Sequence, residues 1–129
     1  MTKLVKKNQD TAQDYLPHVL RIADIAQNFK AGNLKAYDVQ AHTSLTDCIF
    51  MCSCTSDPQL KAIFNGIKDG MKEVGVRPFH TEGQSDSSWI LIDYGSIFVH
   101  IFKEAAYEFY DLDGFWADAE VIDLELDGS

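Results

Sequence analysis

A short apolar run near the middle of the chain sets the strongest limit on its fold. All five side chains of Cys48-Ile49-Phe50-Met51-Cys52 are apolar. Successive side chains of a strand point to opposite sides, so neither side of this strand could face water. A strand buried on both faces needs a covering layer on each side of its sheet. The run therefore predicts an interior strand of a sheet that helices cover.

Two segments have the three-four spacing of apolar residues that is expected of such helices. The first spans 14–30, where Pro17 places the helix start because proline is tolerated only in the first turn. The second follows Ser56, which forms a capping-box pattern with Gln59, and it ends at Gly75. The apolar stripes consist of Leu16, Val19, Leu20, Ala23, Ala26 and Phe29 in the first helix and of Leu60, Ile63, Phe64, Ile67, Met71 and Val74 in the second.

The remaining elements are shorter. Strands are predicted at 36–40, 89–93 and 97–102, an edge strand at 79–81, and short helical turns at 105–110 and 112–116. Gly95 lies between two of the strands and can adopt positive φ there. Apolar and acidic residues alternate at 121–127, which predicts either a covering strand or an ordered tail. This order predicts an α/β fold, a single domain with one mixed β-sheet covered by helices.

Charge is concentrated at one end of the chain. The formal net charge is −9, and 104–129 contains nine carboxylates with no Lys or Arg. Such a surface repels nucleic-acid phosphates, which argues against direct sequence-specific nucleic-acid binding. It suits a basic protein partner, although a solvated face that only favours solubility is the alternative.

We divide the chain into a flexible N-terminus at 1–13, a domain at 14–119 and an acidic C-terminal tail at 120–129. No apolar run reaches the length of about 18 residues that a membrane span requires. The basic start of the chain lacks the apolar stretch of a signal peptide. We therefore expect a cytoplasmic protein with no membrane contact.

The three cysteines, Cys48, Cys52 and Cys54, lie in or just after the apolar run and share one strand face with Phe50. A structural zinc site needs four ligands, usually with a C-x-x-C knuckle, and this run has only C-x-C. We interpret all three as buried thiols.

Motifs of catalysis are missing from the sequence. It has no phosphate-binding loop, no nucleophile elbow and no H-E-x-x-H pair. His100 lies within an apolar strand and is interpreted as a structural histidine. Asp111 and Asp113 could share a magnesium ion in a nucleotidyltransferase-like enzyme, but no Lys or Arg lies beside them to hold a triphosphate. We expect no enzyme, no cofactor and no metal site.

A series of short segments carries a family resemblance. They are Lys35-Ala36-Tyr37-Asp38-Val39, Thr43-Ser44-Leu45-Thr46-Asp47-Cys48-Ile49-Phe50, Ser53-Cys54-Thr55-Ser56, Glu82-Gly83, Trp89-Ile90-Leu91-Ile92-Asp93-Tyr94-Gly95, Val99-His100-Ile101-Phe102, Phe109-Tyr110-Asp111-Leu112 and Trp116-Ala117-Asp118-Ala119. Their order and spacing over 14–119 resemble the Iojap/RsfS family of ribosomal silencing factors. The chain departs from the family pattern at four positions. It has Thr46 where the family has alanine, Cys48 where it has an aromatic residue, Cys54 where it has glycine and Tyr107 where it often has a basic residue.

The resemblance implies a fold related to nucleotidyltransferases but without their catalytic centre. It also implies that the chain binds the large ribosomal subunit through its basic ribosomal protein at position fourteen. Bound there, it would sterically block association with the small subunit and repress translation. A role as an assembly factor for the large subunit is the alternative.

The resemblance also implies contact residues, because a few aromatic anchors dominate most interfaces. Trp89 is the first candidate, followed by Ile90 and Tyr94; a core role is the alternative for Trp89 and Tyr94.

Three carboxylates, Asp111, Asp113 and Asp118, are expected to steer association with a basic partner and to lose influence as salt rises. A partner-neutral assembly module that forms a homodimer through the apolar run near 48–54 is a further alternative.

Overall fold

The computed structural model describes residues 14–83, 87–109 and 112–126, with only the backbone described at 109, 112 and 113. The helices are α1 (Leu16–Asn28), α2 (Asp57–Lys72), α3 (Glu104–Phe109) and α4 (Leu112–Phe115). The strands are β1 (Gly32–Asp38), β2 (Cys48–Cys54), β3 (His80–Glu82), β4 (Trp89–Asp93), β5 (Ile97–Lys103) and β6 (Glu120–Val121).

The strands form one six-stranded sheet in the order β3-β4-β5-β2-β1-β6. Strands β2 and β5 are parallel, and every other neighbouring pair is antiparallel. This confirms the predicted single domain with one mixed sheet covered by helices. Gly95 joins β4 to β5 with a φ of 84°, as the sequence predicted.

The central strand β2 is buried along its whole length. Strand β5 pairs with one of its edges and β1 with the other, so the predicted interior strand is confirmed. The same position limits how this run could form the homodimer that the sequence left as an alternative. The run near 48–54 has no free strand edge to offer a second copy, because β1 and β5 already use its backbone hydrogen bonds.

Helices α1 and α2 cover the first face of the sheet. Their stripes pack on the sheet residues Ala36, Cys48, Phe50, Cys52, Cys54, Ile90, Ile92, Tyr94, Ile97, Val99 and Ile101. All three cysteines are free and buried in or beside this layer, as predicted. Burial raises the pKa of the Cys52 thiol far above its usual range, so the thiol stays protonated and packs as a small apolar group.

Strand β1 differs from its prediction at both ends, for local reasons. It begins at Gly32, because positive φ angles at Lys30 (68°) and Asn33 (51°) turn the chain from α1 directly into the sheet. It ends at Asp38, whose carboxylate accepts hydrogen bonds from the Tyr15 hydroxyl at 2.6 Å and from the Gln40 backbone N–H at 3.1 Å. These bonds hold the chain in the turn that follows.

Part of the segment 120–129, which the sequence analysis set apart as an acidic tail, packs as part of the domain. Glu120 and Val121 pair with β1, and the Ile122 backbone N–H donates to the Ala36 carbonyl at 2.9 Å. Ile122 and Leu124 are buried against the first-face core. The sheet and the core therefore extend beyond residue 119.

The predicted capping box at α2 forms with one altered partner. Ser56 Oγ accepts from the Gln59 backbone N–H at 3.2 Å, as expected. The Gln59 side chain, however, accepts from the Thr55 backbone N–H at 2.8 Å. Its amide Nε2 also donates to the carbonyls of Phe29 and Lys30 at 3.1 and 3.0 Å. Gln59 therefore links the start of α2 to the end of α1.

Replacing Gln59 with alanine removes hydrogen bonds to backbone groups just before α2 and just after α1. We expect Gln59→Ala to lower the free energy of unfolding by about 1 to 2 kcal/mol in urea denaturation, since each such bond has a modest net value. Lys61→Ala, an exposed change in the same helix, serves as the control and should stay within about 0.5 kcal/mol of the parent. Equal losses in both variants would contradict the linking role.

Candidate partner-binding surface

The second face of the sheet is covered unevenly. Helix α3 and the turn before β6 bury part of it, and this second cluster consists of Tyr37, Val39, Ile49, Met51, Phe102, Ala106, Tyr107 and Ala119. Phe98 and Trp116 pack against the cluster and stay partly exposed. Toward β4 and β3 the cover thins, and side chains on this face are half-buried or exposed. One end of the second face is therefore open.

The open end contains a cavity of about 410 Å³. Its lining residues are Ile49, Met51, Trp89, His100, Phe102, Phe115 and Trp116. Phe115 contributes a largely exposed ring, 71% accessible, that meets Trp116 edge to face at a centroid distance of 4.8 Å. The cavity is therefore lined by apolar and mostly aromatic side chains. We call its aromatic lining residues the Trp89 surface; they are Trp89, His100, Phe102, Phe115 and Trp116.

Trp89 is held in a defined orientation although its side chain is 40% exposed. The β4–β5 register places it opposite Phe102, and the two rings lie 4.8 Å apart. Its indole Nε1–H donates a hydrogen bond to His100 Nδ1 at 2.9 Å. The His100 ring stacks on Phe102 at 5.8 Å with an interplanar angle of 14°. An exposed aromatic ring fixed in this way can bind a partner with little loss of side-chain entropy.

The protonation of His100 follows from its surroundings. Burial lowers the pKa of His100 to about 4, because a charged imidazole would lose its hydration there. The ring is therefore neutral at neutral pH, and its Nδ1 lone pair accepts the indole proton. We assign the Nε2–H tautomer from this hydrogen bond. The interpretation of His100 as a structural histidine agrees with this arrangement.

The structure separates the predicted contact residues. Trp89 lies on the open second face, whereas Ile90 and Tyr94 are only 1% and 6% exposed and lie beneath α1 and α2. Alternation along the strand explains this, since even-numbered residues of β4 point to the face opposite Trp89. Ile90 and Tyr94 do share a face, as expected, but their side chains are core in this structure.

The three predicted steering carboxylates lie in the C-terminal part of the chain. Asp118 is exposed, two residues after Trp116. Asp113 belongs to α4, of which only the backbone is described at that position, and Asp111 lies outside the described residues. Within the described residues, no group of three His, Cys, Asp or Glu side chains could hold a metal ion. No described helix is long and apolar enough to cross a membrane.

Several members of the Trp89 surface were missed by the sequence analysis. His100 and Phe102 lie two residues apart in β5, and this spacing alone places them on one face. Pairing of β4 with β5 then brings Trp89 onto the same face. Phe115, by contrast, has no signal in the sequence that would place it at the rim, because its position depends on how α4 docks.

The pKa of His100 gives a testable dependence of stability on pH. A pKa lowered from 6.5 to about 4 means that the unfolded chain binds a proton before the folded chain does. The stability contribution of the neutral ring is complete above pH 6.5 and is lost progressively as the pH falls toward 4. We expect NMR titration to give His100 a midpoint near pH 4, with the Trp89 indole signal shifting in the same range.

His100→Asn removes this titration and should reduce the pH dependence of unfolding between pH 4 and 6.5. Val74→Asn, an uncharged change at an exposed position after α2, should leave that dependence as in the parent. A His100 midpoint near 6.5, or an indole signal that ignores the His100 titration, would contradict the geometry described.

Comparison with known proteins gives a consistent result. The sequence model of the family described as ribosomal silencing factor during starvation, RsfS, matches residues 10–128. The ribosomal silencing factor RsfS of Bacillus subtilis is 33% identical over 84% of this chain and 92% of its own length. The factor of the same name from Haemophilus influenzae is 30% identical over 74% of this chain and 94% of its own.

A solved structure shares the fold as well. The crystal structure of a protein from Chromobacterium violaceum superposes with a TM-score of 0.75 at 26% identity, covering 81% of this chain and 87% of that one. Sequence and fold agree over most of the chain, which therefore belongs to the RsfS family of ribosomal silencing factors.

Proposed function

We infer that this chain docks on the large ribosomal subunit through the Trp89 surface and thereby blocks association with the small subunit. The observation that carries the proposal is the orientation of the Trp89 indole, which is 40% exposed and held by His100 beside an open aromatic cavity. The family supplies the ribosomal context, since its name describes silencing of the ribosome. We place this action in the cytoplasm.

The direct partner that we propose is the basic ribosomal protein at position fourteen of the large subunit. A chain with a net charge of −9 attracts a basic surface and disfavours exposed RNA phosphates. The aromatic cavity would receive an apolar side chain of that protein. Aromatic residues in well-packed pockets commonly carry most of the energy of an interface.

The mechanism is steric and needs no chemical step. A specific complex buries roughly 800 Å² on each partner. A bound domain of this size on the joining face would occupy space that the small subunit needs. The chain would repress translation simply by remaining bound. An assembly role for the large subunit would use the same contacts and is the alternative.

Sucrose gradients with purified large and small subunits test docking and its location together. The parent chain should co-migrate with large subunits and reduce the fraction of joined ribosomes. Trp89→Glu and Phe115→Glu each place a carboxylate at the cavity, and each should weaken binding at least tenfold, because a desolvated charge there has no partner. Phe115→Glu alters an exposed ring and therefore tests the surface with little risk to folding.

Val74→Glu is the matched control, since Val74 is 46% exposed and follows α2 on the far side of the sheet. It should bind and block like the parent. Absence of co-migration by a folded parent chain would refute the silencing proposal. Binding that survives both cavity variants would keep the function and refute the proposed surface.

The acidic C-terminal part gives a separate kinetic prediction. Changing Asp111, Asp113 and Asp118 together to Asn should slow association with large subunits several-fold at low salt, with a smaller effect at physiological salt. Stopped-flow fluorescence with a labelled chain measures both rates. The control changes three exposed carboxylates on the helical side, Asp14, Asp24 and Asp69, to Asn. Equal slowing in the two triple variants would show that only net charge matters.

A further inference from the structure

Trp89 stands between two cavities. The aromatic cavity lies on one side of the indole, and a smaller cavity of about 250 Å³ lies on the other side. The smaller cavity is lined by Glu82, Gly83, Trp89 and Leu91. The β3–β4 register places Glu82 directly opposite Leu91, and directly opposed residues share a face of the sheet. Glu82 therefore lies on the open second face, beside the indole, as the acidic member of a mostly apolar cavity.

The position of Glu82 beside Trp89 is maintained by the residue after it. Gly83 has a φ of 96°, which favours glycine, and a side chain there would begin only 2.5 Å from the Trp89 carbonyl oxygen. The absence of a side chain lets the end of β3 pass closely over the start of β4. Glu82 is thereby kept at the indole instead of being displaced outward with the strand.

The charge at the smaller cavity is negative, because Glu82 is the charged residue among those described in its lining. Neither cavity has a Lys or Arg among its described lining residues. The Glu82 carboxylate contacts His80, whose Nε2 lies 2.7 Å from Oε2 and orients the group. A carboxylate accepts about four hydrogen bonds, so the His80 contact leaves capacity for a cation.

We propose that the smaller cavity receives a lysine or arginine side chain of the ribosomal partner, with Glu82 as the residue that selects it. This inference rests on the proposed docking function and specifies the chemistry of the partner segment. The aliphatic stem of the basic residue would lie along Leu91 and the indole, and its charged head would reach the carboxylate. The face of a tryptophan ring also attracts cations, which adds to the selection.

Trp89 would then be enclosed on both sides by one partner segment. An apolar side chain would fill the aromatic cavity, and a basic one would lie against Glu82. A charged pair that loses water on docking is worth more than an exposed pair, and its loss acts mainly on the dissociation rate. Glu82 thus differs in role from the C-terminal carboxylates, which we propose act on the association rate.

Equilibrium binding of the N-terminally labelled full chain to purified large subunits tests this selection. We expect Glu82→Gln to raise the dissociation constant about tenfold, chiefly through faster dissociation, and to lessen its dependence on salt. Glu82→Lys should weaken binding further, and Glu82→Asp should retain part of the affinity. Asp69→Asn removes the same charge from the helical side of the molecule and should stay within about twofold of the parent.

The outcomes separate this inference from the proposed function. Parent-like affinity and salt dependence of a folded Glu82→Gln chain, alongside weakened Phe115→Glu, would overturn the role of Glu82 and keep the docking surface. An equal loss in Glu82→Gln and Asp69→Asn would overturn it as well, since only net charge would then matter. Failure of the parent chain to bind large subunits would overturn the docking function and this inference with it.

Discussion

Each side chain of β2, from Cys48 to Cys54, is buried, so the sheet needs cover on both sides. Helices α1 and α2 supply a continuous layer on the first face. On the second face, α3 and the turn around Trp116 and Ala119 cover the part near β2, and the cover thins toward β4. The Trp89 surface lies at the part of the second face that no other described element of the chain covers. Its apolar character follows from its position next to the core.

The hydrogen bond from Trp89 to His100 makes this open surface suitable for docking. An indole N–H buried by a partner without an acceptor would cost free energy, but here the acceptor belongs to the same chain. A neutral His100 can accept this proton at physiological pH, because burial lowers its pKa. The exposed ring face is therefore apolar and fixed before any partner arrives. Glu82, on its other side, supplies the charge that would make binding selective.

The sequence predicted the elements better than the site. The spacing of apolar residues identified β2 and both long helices. A helix that buries one stripe shows apolar residues three or four apart, and a strand buried on both faces shows a continuous apolar run. The same alternation puts Ile90 and Tyr94 on the face opposite Trp89. All three were predicted as contact residues only because their side chains are aromatic or apolar. The link from Gln59 to the end of α1 and the position of Phe115 depend on tertiary docking, which no local pattern records. The relation to nucleotidyltransferases stays a prediction.

Site-specific photocrosslinking can identify the molecule that contacts the Trp89 surface. A photoreactive p-benzoylphenylalanine in place of Phe115 sits at the rim of the aromatic cavity, and the same group in place of Val74 marks the far side. After irradiation with large subunits, mass spectrometry identifies the attached molecule. We expect position 115 to attach to the ribosomal protein at position fourteen and position 74 to attach to nothing specific. Attachment to that protein from position 74 alone, or from position 115 to RNA or another protein, would contradict this expectation.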